Sequence, residues 1–177
     1  GILVALGTYY IQTRTFSAEV FWASLPLGVL VTAILWINEF LDYNADKSTG
    51  KKTLVVRFGR RTAAVLFEFI VLSSYVLLII GVICHFLPAI MLAGLLSLPF
   101  AIQAIRYANK YYSHPAELVP GNAFTVVCFN ALGLISVLSY LWFSVKYMYV
   151  IPISILGLLF VYSNYKTIQE QRKASWQ

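Results

Sequence analysis

The chain is 177 residues long, 60% hydrophobic and 11% charged, with mean hydropathy +0.77 and formal net charge +6. An ordinary soluble domain carries about 25% charged and 45–50% apolar residues, so a water-soluble monomer and a disordered chain are both excluded. The basic residues mostly flank apolar runs and do not form a solvated face with stacking aromatics, which points to a lipid bilayer as partner and away from nucleic acid.

Crossing a hydrocarbon core takes about 20 helical residues. The opening run, 1–11, rises only about 16 Å and is too short. It is expected to be a span whose first half is missing. Five full spans follow at 21–41, 62–87, 88–107, 122–143 and 147–165, the last being the shortest. Inside lipid every backbone amide must be satisfied within its own segment, and these runs are near-continuous in apolar residues without strand-like alternation. The fold class is therefore all-α: a polytopic membrane helical bundle over 1–165, with a polar cytoplasmic tail over 166–177.

The loops are unequal. Segments 11–20, 84–88 and 144–148 are short and nearly uncharged, whereas 42–61 and 106–121 are longer and polar. With the long loops in the cytoplasm, that side holds eleven basic residues, among them Lys47, Lys51, Lys52, Arg57, Arg60, Arg61, Arg106 and Lys110. The other side holds only Arg14 and Lys146. The positive-inside rule then places the C-terminus in the cytoplasm. Cys84 and Cys128 lie about forty residues apart in apolar runs, form no ligand pair and read as packing residues. His85 falls on the outer side and His114 in a cytoplasmic loop, neither with a partner at ligand spacing.

Three of the seven acidic residues, Glu39, Asp42 and Asp46, fall within eight positions at the cytoplasmic end of the 21–41 run. On a continuing helix Asn38, Asp42 and Asp46 recur at i, i+4 and i+8 and share a face, with Glu39 at its edge. Like charges at this spacing repel, so a cation is needed to compensate them. Oxygen ligands suit Mg2+, which is held by one or two carboxylates together with substrate phosphates. The stretch Lys47-Ser48-Thr49-Gly50-Lys51-Lys52, followed by Arg57, supplies bases for a phosphate, and Gly50 permits a turn back over the carboxylates. A row of acids at a membrane edge is functional by default. For any one of the basic residues, topology alone is a sufficient explanation.

The string NEFLDYNADKSTGKKTLVVRFGRR resembles the second aspartate-rich segment of the UbiA superfamily of intramembrane prenyltransferases. Asp42 to Asp46 matches its D-x-x-x-D pattern, and Gly50 to Leu54 matches the GKKTL that follows. Gly7 to Thr13 (GTYYIQT) and Leu118 to Ala123 (LVPGNA) are similar to segments of the 1,4-dihydroxy-2-naphthoate polyprenyltransferase branch, the menaquinone-pathway members. The resemblance covers roughly residues 1–143. It implies metal ligation by Asp42, Asp46 and Glu39, catalysis by Asp42 and Asp46, and substrate binding by Asn38, Lys47, Lys51, Arg57, Tyr9, Tyr10 and Gln12. It also implies Mg2+ as cofactor, a polyprenyl diphosphate and an aromatic acceptor as substrates, and a bacterial cell membrane with the active site facing the cytoplasm. The chain departs from the family in lacking the first N-D-x-x-D-x-x-x-D segment. It is expected to be the C-terminal part of an enzyme whose missing N-terminal half carries that motif, and span 147–165 is expected to be extra to the family core. Two other readings remain open: a cation-binding transport subunit, and a non-catalytic membrane assembly partner.

Overall fold

The computed structural model describes residues 1–144 and 147–174. Among them there are helices and no strands. Helix α1 is Ile2–Thr13, α2 Ala18–Leu41, α3 Tyr43–Ser48, α4 Leu54–Phe58 and α5 Arg60–Ile83. A 3-10 helix, Ala89–Ser97, leads directly into α6, Leu98–Tyr111. Helix α7 is Pro115–Ser144 and α8 is Tyr147–Ala174. Five helical segments are long and apolar enough to cross a membrane, and the chain is a multi-pass membrane protein.

The centre of the bundle is α2, which packs against α5 and α7; α6 and α8 both lie on α7. Leu30, Ile37, Phe40, Phe67, Leu78, Met91, Leu118 and Leu132 fill the core. The close helix approaches are lined by Ala33, Ala63, Ala64, Ala101, Ala104 and Ala108, all buried. Small residues suit this position because lipid supplies no hydrophobic drive between helices, so van der Waals approach of the backbones must do so. Large apolar side chains such as Leu35, Phe69, Ile83 and Leu96 point outward, where lipid is their solvent.

Several elements differ from the sequence reading. The third span does not begin as an α-helix: its first nine residues are 3-10, an unusual length for that conformation. Ser97 donates to Gly94 O at 2.7 Å, and the Tyr75 hydroxyl meets Ser97 Oγ at 2.8 Å and Cys128 Sγ at 3.0 Å, so a polar knot ties the 3-10 segment to α5 and α7. Cys128 is thus a buried packing residue as expected, whereas Cys84 is exposed. Helix α7 starts seven residues before the expected 122, because Pro115 is compatible with a first helical turn and Pro120 falls early enough to be accommodated. Loop 106–121 thereby contracts to a short turn. Loop 42–61 is also not a plain loop, since α3 and α4 occupy much of it. Helix α8 continues past 165 to Ala174, so polarity rather than the backbone marks the start of the tail. Lys146 and the last three residues of the tail lie outside the described residues.

Candidate functional site

Helix α2 ends at Leu41, and Asp42 stands at the junction with α3, where its φ of −89° and ψ of −1° let the chain re-enter a helix at once. Asp42 N–H bonds to Asn38 O at 3.2 Å, and Asp46 N–H to Asp42 O at 2.8 Å, so the i, i+4, i+8 ladder survives the break in its backbone bonding. The three side chains are not equivalent. Asp42 is exposed, Asn38 is half-buried, and Asp46 is only 7% exposed.

Gly50, at φ 74°, reverses the chain after α3 and lets Lys51 N–H bond to Asp46 O at 2.9 Å. A side chain at φ > 0 is strained, which is the physical reason for glycine here. The Lys51 ammonium then reaches Asp46 Oδ1 at 3.1 Å. The other carboxylate oxygen, Asp46 Oδ2, is enclosed and has no hydrogen-bond partner. A buried carboxylate oxygen left in this state is unfavourable.

The rest of the ladder is engaged differently. Glu39 Oε2 accepts the Val55 N–H at 3.2 Å and so holds the first turn of α4, alongside the Thr53 cap that accepts from Val56 N–H at 3.4 Å. Asn38 Oδ1 accepts from Asn122 Nδ2 at 2.8 Å, across to α7. Asn122 Oδ1 is buried and unpartnered. Gly121 makes this meeting possible: a Cβ there would lie 2.8 Å from Tyr107 Cβ and 3.5 Å from Ile37 Cδ1, so only glycine lets α7 close on α6 and α2. Arg60 bolts α3, just after α2, to the turn between α6 and α7. Its guanidinium lies 4.1 Å from the Tyr43 ring centroid and donates to Asn44 Oδ1 at 2.9 Å and to Ser113 O at 3.2 Å. Lys47 stands 5.8 Å from the same ring, and Arg57 projects exposed from α4.

The structure therefore brings Asn38, Glu39, Asp42, Asp46, Lys47, Lys51 and Arg57 to one end of the bundle. Tyr9, Tyr10 and Gln12 are not there. Helix α1 runs back along α2, with Ile2 against Gly28 at mid-helix, so its C-terminal residues lie toward the start of α2. Tyr10 stacks on Phe16 in that turn, at 4.8 Å between centroids. From Gly28 to Asp42 is a further rise of about 21 Å along α2, which takes these three residues away from the aspartates. Asn122 and Arg60 were the residues the sequence reading gave no role. Asn122 carried one signal, an amide inside an otherwise apolar run.

Among the described residues, no three of His, Cys, Asp and Glu gather closely enough to hold a metal ion. The carboxylate of Glu39 is occupied by α4. Asp46 Oδ2 nonetheless fits a hard cation, being a buried charged oxygen without a donor, and Asp42 is free of any side-chain partner one helical turn away.

The UbiA prenyltransferase family matches residues 1–126, and the chain belongs to that family. The family is in general dependent on a divalent cation. The chain is 32% identical over 118 residues to the 2-carboxy-1,4-naphthoquinone phytyltransferase of Synechocystis sp., a stretch covering 67% of this chain and 38% of that protein. It is 31% identical over 129 residues to the 1,4-dihydroxy-2-naphthoate octaprenyltransferase of Haemophilus influenzae, covering 72% of this chain and 36% of that protein. It is 40% identical over 63 residues to the 1,4-dihydroxy-2-naphthoate octaprenyltransferase of Escherichia coli, covering 36% and 20%. The matched part thus spans well under half the length of these relatives. No solved structure matches the chain significantly.

Proposed function

We propose that the protein to which this chain belongs transfers a polyprenyl group from an isoprenyl diphosphate to an aromatic acceptor, with 1,4-dihydroxy-2-naphthoate as the acceptor and Mg2+ as the cation. The observation that carries this reading is Asp46: a buried carboxylate with a lysine on one oxygen and none on the other, at the end of a membrane bundle that also gathers Asp42, Lys47 and Arg57. On this reading Asp42 and Asp46 hold the cation, together with the first aspartate-rich segment of the missing N-terminal half.

The cation, when bound, neutralises charge on the diphosphate. The chain's own residues do the rest. On this reading Lys47, Lys51 and Arg57 contact the diphosphate oxygens, and their charges stabilise it as it leaves with the electron pair of the allylic C–O bond. Asn122 fixes the Asn38 amide beside the aspartates. The apolar spans exclude water that would capture the allylic carbocation. A ring carbon of the acceptor then forms the new C–C bond, and the carboxyl group on that carbon departs as CO2, leaving its electron pair to restore the ring. Tyr9, Tyr10 and Gln12 lie too far toward the other membrane face to position that ring. On this reading the catalytic end and the C-terminus face the cytoplasm of a bacterial cell.

The test is an assay of purified full-length protein with dihydroxynaphthoate and a polyprenyl diphosphate, with and without Mg2+. Prenylated product is expected only with the cation, and Asp42→Ala or Asp46→Ala is expected to reduce it by at least about a hundredfold. Full turnover in both variants, or turnover unaffected by chelation, overturns the proposal.

A further inference from the structure

At the membrane face opposite the aspartates, a cavity of about 590 Å³ opens between the start of α2, the turn after α5 and the C-terminal half of α7. Its polar lining is Glu19, His85 and Tyr140; Phe86, Leu87 and Pro88 form its apolar side. Prenyl transfer at the aspartate end makes no use of any of them.

Two features of the lining call for a ligand. The Tyr140 hydroxyl is buried without a hydrogen-bond partner, and the Glu19 carboxylate lines the same cavity. Buried polar groups in this state are few, and each needs a reason. The second feature is the backbone of His85. Phe86 N–H bonds Gly81 O at 2.9 Å, and His85 N–H bonds Val82 O at 3.0 Å. This is the Schellman arrangement that closes a helix, and its left-handed residue is usually glycine. Here it is His85, at φ 59°. Stability alone favours glycine at that position, so the imidazole on the cavity wall is held there against local preference. Phe86 is fixed beside it by stacking on Trp22, with centroids 5.2 Å apart and planes 7° apart.

Glu19 offers a carboxylate, Tyr140 a phenol oxygen and His85 an imidazole ring nitrogen, which makes three acceptors and one negative charge on one cavity. A primary ammonium matches them with three N–H donors and one positive charge. A quaternary ammonium has the charge without the donors, and a glycerol headgroup has no positive charge. The apolar wall, at the end of lipid-facing helices, suits acyl chains. We propose that this cavity binds an aminophospholipid, its primary ammonium held by Glu19, His85 and Tyr140 and its chains laid along Phe86 and Leu87.

The test uses purified full-length protein exchanged into phosphatidylethanolamine, phosphatidylcholine or phosphatidylglycerol, with bound lipid counted by native mass spectrometry and thermal unfolding measured in parallel. The ethanolamine lipid is expected to be retained roughly tenfold over the other two, the effect of about one charge-assisted hydrogen bond. Glu19→Gln is expected to abolish that preference. His85→Gly suits the left-handed backbone, so it is expected to raise the unfolding temperature without lipid and yet lower the preference. It decides the matter even where Glu19→Gln fails to fold. Equal retention of the three lipids by the unaltered protein, or an unchanged preference in His85→Gly, overturns the proposal. Neither result bears on the aspartate end.

Discussion

Asp46→Asn separates a site held for a ligand from a site held for stability. The carboxylate of Asp46 is nearly enclosed, and its one ionic partner, Lys51, has a side chain 65% exposed. An ion pair with so wet a partner contributes about 0.2–1 kcal/mol. Against that, a buried acceptor with no partner costs roughly 1–3 kcal/mol, and more when charged. Asn keeps the shape and leaves an oxygen for Lys51; its amide nitrogen takes the enclosed place of Oδ2, so what it removes is the excess cost of burying a charge there. The balance favours the variant by about 1–2 kcal/mol in the absence of divalent cation. For a chain of this size that is a rise of roughly 2–8 °C in unfolding temperature. The measurement is thermal unfolding in chelator, beside turnover in Mg2+. The variant is expected to be more stable without metal, to gain little from added Mg2+, and to be nearly inactive. Lower stability of Asp46→Asn in chelator refutes the reasoning, because it means that the carboxylate serves the fold itself.

Asn122→Ala is expected to leave Asn38 without its partner and to lower turnover about tenfold, with unfolding temperature changed by only a few degrees, as scored by enzyme assay beside thermal unfolding. Gly121→Ala is expected to force α7 off α6 and destabilise by about 1–3 kcal/mol, measured by chemical unfolding, because the atom it meets is Tyr107 Cβ and not the end of a flexible chain. Trp36→Phe loses the bond from Trp36 Nε1 to Ala63 O at 3.0 Å, but that carbonyl keeps its bond within α5, so the cost is about 0.5–1.5 kcal/mol by the same measurement. Glu39→Gln keeps an oxygen for Val55 N–H and is expected to retain most activity, whereas Glu39→Ala is expected to cost about 1 kcal/mol of stability; loss of turnover in Glu39→Gln would reinstate Glu39 as a metal ligand.

Membrane architecture was legible because lipid leaves the backbone few options, and apolar run length alone sets span number. The turn at Gly50 and the return of Lys51 to Asp46 were legible for a similar reason, since a glycine between a short helix and a pair of lysines has a single economical use. Features carried by distant pairs were not visible. Asn122 meets Asn38 only because Gly121 lets three helices close; the LVPGNA motif marked Gly121 and Asn122 but not the helix they approach. Glu39 belonged to the acidic ladder by spacing, but the cap of α4, sixteen residues later, takes its carboxylate. Tyr9 and Tyr10 were placed with the aspartates by a motif, while the antiparallel course of α1 carries them the other way.

Two buried oxygens without partners, Asp46 Oδ2 and Asn122 Oδ1, lie at the aspartate end of the bundle, on α3 and α7. One is charged, the other neutral, and both are acceptors. The other buried polar side chains of α2 and α7, Ser24, Thr125, Ser136 and Ser139, each bond a carbonyl of their own helix, as these two oxygens do not. Asp46 Oδ2 and Asn122 Oδ1 share that end with Lys47, Lys51 and Arg57, all exposed, and with the buried, unpartnered Arg60 Nε. On the proposed reading a divalent cation serves the oxygens and a diphosphate the basic side chains. The opposite end offers Glu19, His85 and Tyr140 around a cavity with no lysine or arginine in its lining, so it suits an organic ammonium. Both ends of the same helices therefore call for a positive group, but only the aspartate end has lysine and arginine beside it for an anion as well.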